Sequence, residues 1–137
     1  MGLYLCVFDG DEEVDGLEVG PYTDFDTFRS CVVRGLESGA AGSKFPTLIL
    51  HSDCDGEWSP REAEKLEKEL VEIGDEFRRR PPIAISSDWQ KQVVKRFGLK
   101  MNNLNDCFFD VDGEPLLERL INLAKISRGR NLPILFQ

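Results

Sequence analysis

"SPREAEKLEKELVEIGDEF", residues 59–77, is the stretch from which the fold can be read. Ser59 offers an N-cap oxygen, Pro60 suits a first helical position that needs no N–H, and Glu62 stands where a capping box closes. Ala63, Leu66, Leu70, Ile73 and Phe77 recur at helical spacing and form one apolar stripe. Glu64–Lys68, Asp75–Arg79 and Glu76–Arg80 follow the favourable i to i+4 order on the other side. "RRR" (78–80) complements the C-terminal dipole, and Pro81–Pro82 stops the helix. A helix with one apolar stripe must cover another layer, and the flanking sequence has to supply it.

Upstream, "TLILHS" (47–52) reads as a buried strand, and "TDFDTFRSCVVRGLE" (23–37) as a helix with Phe25, Phe28, Val32 and Leu36 on one face. Thr23 or Asp24 is its expected N-cap. "GLYLCVF" (2–8) is rich in strand formers and belongs in the sheet interior; "DGDEEVDG" (9–16) turns, and "LEV" (17–19) returns as a short strand. Downstream come a helix in "SSDWQKQVVKRFG" (86–98), capped by Ser87 or Asp88 and closed by Gly98, and a strand in "CFFDV" (107–111). A helix in "EPLLERLINLAKISRG" (114–129) ends at Gly129, and "LPILFQ" (132–137) is a final strand, with Pro133 marking an edge or a strand start. The expectation is an α+β (or α/β) fold: one small sheet of four or five strands packed with about four helices, in a single domain spanning 1–137.

Hydrophobic residues make up 41% of the chain and charged residues 31%, and no apolar run approaches membrane-spanning length. The start lacks a basic, apolar leader pattern, so a cytoplasmic protein is expected. Cys6, Cys31, Cys54 and Cys107 are widely spaced without a C-x-x-C pair, which favours free thiols over disulfides or a zinc site. Net charge is −8, and its placement is uneven. Eight acids precede the first base, Arg29, while 17 acids and 17 bases share the remainder. Direct nucleic-acid binding is disfavoured by that field, whereas a basic protein partner would be steered by it.

"HSDCDGEWSPRE" (51–62) concentrates the most chemistry. With His51 as position one, Asp53, Asp55, Gly56 and Glu62 fit positions of a calcium loop, so Asp53, Asp55 and Glu62 are the alternative metal set. Against it, histidine is a poor ligand for a hard cation and Trp58 occupies the apolar position; an Asx-type turn feeding the Ser59 cap explains the same residues. His51 and Cys54 can be written as a base and nucleophile of a small hydrolase, but no catalytic signature accompanies them. No catalytic residue and no cofactor is assigned.

At "LESGAAGSKFPTLI" (36–49) the chain resembles the immunity protein 70 family of bacterial polymorphic-toxin systems, through Leu36, Glu37, Gly42, Ser43, Lys44, Phe45 and Pro46. "EKELVEIGDEF" (67–77) and "DGEPLLERLINLAKISRGRNLPILF" (112–136) are similar to that family's acidic helix and its closing turn, helix and strand. Ala41 departs from the pattern, standing where the family has a tryptophan. The resemblance implies a non-enzymatic binder of a cognate toxin, which the acidic segment suggests is basic, a nuclease being one candidate. Asp9, Asp11, Glu12, Glu13 and Asp15 are the first candidates for partner binding, with Asp53, Asp55, Glu57 and Trp58 second; Trp58 reads either as an exposed anchor or as a half-buried staple at the helix start.

Overall fold

The helix read from residues 59–77 forms as expected and organises the rest. In the computed structural model, which describes every residue except Met1, Asp53, Cys54 and Ser86, it runs from Pro60 to Arg78 (α3). Ser59 Oγ accepts from Glu62 N at 3.1 Å and Glu62 Oε1 accepts from Ser59 N at 3.0 Å, closing the capping box. Its arginines pair one residue closer than expected, Arg78 with Asp75 (3.3 Å) and Arg79 with Glu76 (2.9 Å), both i to i+3. Ala63, Leu66, Leu70, Ile73 and Phe77 are fully buried. Their stripe meets α5 (Leu116–Arg130), which buries Leu116, Leu117, Leu120, Leu123 and Ala124.

These helices and α1 (Tyr22–Leu36) lie against one four-stranded antiparallel sheet, so the fold is α+β. The strands are β1 (Leu3–Asp9), β2 (Glu12–Gly20), β3 (Glu57–Trp58) and β4 (Ile134–Phe136), in the order β2-β1-β4-β3. Leu3, Leu5, Val7, Leu17, Ile134, Phe136 and Trp58 point into the helix layer, where Phe28, Phe77 and Phe108 pack ring to ring at 5.2–6.2 Å.

Several elements differ from the sequence reading, each for a local reason. Residues 12–16 are strand rather than turn: pairing with β1 outweighs the poor strand propensity of the acids, and the reversal shrinks to Gly10 and Asp11. Residues 47–52 are no strand. Pro46 opens a single helical turn, α2 (Pro46–Ile49), whose first N–H groups at Thr47 and Leu48 are taken by the Glu69 carboxylate of α3 at 3.2 and 3.0 Å. A four-residue apolar run fits either state, and this tertiary cap decides it.

Residues 107–111 also fail to form a strand. Leu104–Cys107 is a 3-10 turn, and the chain then closes on itself: Asp110 Oδ1 accepts from Asp112 N (2.9 Å) and Glu114 N (3.0 Å). One bond, Val111 N to Glu18 O at 3.3 Å, touches the outer edge of β2. The two-residue β3 stands where only a turn was read. Helix α4 (Asp88–Phe97) is capped by Ser87 and closed by Gly98 as expected. Helix α1 starts after Pro21 without a side-chain cap, and α5 runs through Gly129 to end at Asn131, in the left-handed region at φ 57°. Pro133 marks a strand start, because β4 is an interior strand.

The segment between α1 and α2 is tied down by one buried side chain. Glu37, 3% exposed, accepts from Gly42 N (3.1 Å), Lys44 N (2.9 Å) and Phe45 N (2.9 Å). Gly42 sits at φ 80°, and a Cβ there would lie 2.7 Å from the Leu50 side chain, so only glycine fits. Glu37→Ala strands these amides, and we expect a loss of about 2–4 kcal/mol in urea unfolding. An unchanged midpoint would show that water replaces the carboxylate at no cost.

Candidate functional site: the open face of the sheet

Alternation along β1 sends Leu3, Leu5 and Val7 into the core and leaves Tyr4, Cys6 and Phe8 on the other face. Cross-strand pairing extends that face. Glu57 on β3 lies opposite Leu135 on β4, Leu135 opposite Cys6, and Cys6 opposite Gly16 on β2. Tyr4 with Glu18, and Phe8 with Glu13, form the flanking rows. Four strands place Glu57 and Gly16 about 14 Å apart. Tyr4, Phe8 and Leu135 are half-buried and stand outside the core cluster, with the Cys6 thiol covered between them.

Tyr4 is fixed on this surface. Its hydroxyl donates to Glu13 Oε1, and a Cβ at Gly16 would run into the Tyr4 ring and the Glu13 carboxylate. The bond to Glu13, with burial and nearby negative charge, pushes the Tyr4 phenol from 10.0 to about 12. Burial likewise raises the Cys6 thiol, leaving it a poor nucleophile.

The candidates from the sequence divide. Asp9, Asp11, Glu12 and Glu13 are exposed around the β1–β2 hairpin, and none has a basic partner within 4 Å among the described residues. Asp15 is half-buried, with Oδ1 3.8 Å from Arg119 Nη1 of α5. That arginine also reaches Gly16 O and lies 3.6 Å from Asp110, so Asp15 helps to dock β2 onto the helix layer. Glu57 and Asp55 are exposed; Asp53 and Cys54 lie outside the described residues.

Trp58 is a correction. Far from an exposed anchor, it is fully buried, with Nε1 donating to Thr47 O at 3.0 Å and its ring 4.7 Å from that of Phe136. The period of two in β3 turns Trp58 inward and Glu57 outward. The second set reaches the sheet through β3, at the far edge from β2.

The 51–62 loop reads structurally. His51 Nδ1 and Nε2 each lie 2.8 Å from a main-chain carbonyl, those of Ser52 and Glu57, and the ring stacks on Phe136 at 4.4 Å. Arg29 Nη1 donates to His51 O at 2.8 Å. Glu62 is engaged by its cap, and no group of three His, Cys, Asp or Glu among the described residues is placed to hold a metal. Sequence reasoning missed Tyr4, Phe8, Leu135 and Glu18. The alternation that marks them was hidden because both faces of β1 are apolar.

Across residues 3–136 the chain matches the family model described as immunity protein 70. The chain belongs to the immunity protein 70 family. The match takes in the N-terminal hairpin and the 51–62 loop, which the sequence resemblance did not reach. No curated protein and no solved structure matches the chain. The family's motif residues now have physical roles: Glu37 gathers the amides of 42–45, Gly42 makes room for Leu50, and Phe45 is buried. No helix among the described residues is long and apolar enough to cross a membrane.

Two measurements test these assignments. In a Tyr22→Phe background, absorbance titration should show Tyr4 ionising near pH 12, and Glu13→Gln should bring it down. Because folding raises this phenol, its contribution to stability is whole below pH 10.0 and is lost as pH climbs towards 12. An ordinary tyrosine titration would remove the Glu13 bond. Millimolar calcium should leave the unfolding temperature unchanged; a rise abolished by Asp55→Ala would restore the metal loop.

Proposed function

We propose that this chain is an immunity protein that binds and neutralises a cognate bacterial toxin in the cytoplasm, using an acidic surface and no catalysis of its own. The observation that carries the reading is family membership over nearly the whole chain. Charge placement supports it. Four strands and the hairpin turn contain Asp9, Asp11, Glu12, Glu13, Asp15, Glu18 and Glu57 and no lysine or arginine. A protein that must find its partner before damage is done gains from long-range steering, and a field of one sign provides it.

The partner of matching chemistry is a basic toxin domain. A nuclease fits, since its substrate surface must itself be cationic. Acidic residues laid on that surface would exclude nucleic acid by occupying the same charges.

Co-expression with the toxin encoded beside this gene should restore growth, and the purified pair should associate. Its association rate should fall roughly tenfold between 0.05 and 0.5 M salt. Absence of a toxin gene beside this one, or failure to protect or bind, would sink the immunity reading; binding at a rate indifferent to salt would sink its electrostatic part.

A further inference from the structure

We infer that the open face of the sheet, with Tyr4, Phe8 and Leu135 at its centre and Glu13, Glu18 and Glu57 around it, is the surface that receives the toxin, and that its occupant is a basic protein surface. The inference rests on the immunity reading and adds to it where the partner sits and what it is made of. Three observations lead here.

First, among the described residues the sheet has one covered and one uncovered side. Helices α1, α3 and α5 contribute to the core with the inward residues of the strands, whereas Tyr4, Phe8 and Leu135 are absent from that cluster. Half-buried side chains in a row on a flat strand surface can be desolvated by a partner at small entropic cost, because the sheet already holds them. Tyr4 is further held by Glu13 and by the space over Gly16. A fixed aromatic beside aliphatic groups is the composition of an interface centre.

Second, the charge around this centre has one sign. Glu13, Glu18 and Glu57 share its face, and Asp9, Asp11 and Glu12 continue the field into the hairpin. Third, these acids have no basic partner among the described residues. Asp75 and Glu76 pair with Arg78 and Arg79 at the end of α3, Glu67 with Arg128, and Asp15 and Asp110 with Arg119. None of Glu13, Glu18 and Glu57 has a basic group within 4 Å among the described residues. Lysine and arginine side chains suit such a surface twice, since their charged ends meet the rim while their methylene stems cover the apolar strip.

The test is binding of the toxin encoded beside this gene to variants of the full chain. Leu135→Lys puts a cation at the centre and should weaken binding roughly 100-fold; exposed Glu57→Lys should weaken it about tenfold. Val71→Ser, exposed on α3, should bind as the natural chain does. Circular dichroism and the unfolding midpoint check that each variant folds. If Leu135→Lys does not fold, Glu57→Lys with Phe8→Ala decides. Should the natural chain bind while Leu135→Lys and Glu57→Lys bind equally well, the open face is wrong and the immunity reading survives. Loss of binding in Val71→Ser alone would move the interface to the outer side of α3. If the natural chain does not bind or protect, both proposals fall.

Discussion

A single carboxylate sets the path of the chain between its first helix and its sheet edge. Glu37, buried at the end of α1, collects three main-chain amides from residues 42–45 and forces the segment to fold back. That turn delivers Phe45 to the core and starts α2, whose own amides are taken by Glu69. Thr47 O is then in place for the Trp58 indole, and Trp58 aligns the two residues of β3 against β4. Glu57 faces outward as a consequence. The stretch that carries the sequence resemblance to the family is therefore the support of β3, the edge strand that bears Glu57. A buried acceptor of this kind stabilises chiefly because its absence leaves amides unsatisfied.

The same architecture separates its charges by layer. Helices carry acids and bases together and pair some of them, as Asp26 with Arg29 and Asp75 with Arg78; strands carry acids alone. Exposed ion pairs contribute little to stability, so the helical pairs are consistent with solubility more than with strength. Unpaired acids on a sheet repel one another, a modest cost that makes sense where a partner relieves it. Such a surface increases the encounter rate, while the residence time depends on whatever apolar area is desolvated beneath. Tyr4, Phe8 and Leu135 are the groups available for that second role.

The longest signals in the sequence were legible. Ser59, Pro60 and Glu62 announced α3, and the stripes of α3 and α1 named their buried faces, because capping and periodicity are local. Short apolar runs were not. "TLIL" became a helical turn because Glu69, 22 residues away from Thr47, caps it. "CFFDV" became a closed turn because the Asp110 side chain competes with strand pairing. The acidic hairpin was visible as charge, yet its division was not: Asp15 turns to Arg119 and its neighbours to solvent, a consequence of a register irregularity between Val7 and Phe8. Trp58 looked like an anchor for want of any sign that a two-residue strand would turn it inward. Leu135, the centre of the open face, needed the strand order before it could be seen at all.

Carboxyl footprinting of the chain, alone and with its toxin, reads the central claim most directly. Carbodiimide modification followed by mass spectrometry should show Glu18 and Glu57, on opposite edges of the sheet, protected together in the complex. Glu64 and Glu72, exposed on α3, should react as in the free chain. Protection of the α3 acids with Glu18 and Glu57 left reactive would contradict an interface on the open face of the sheet.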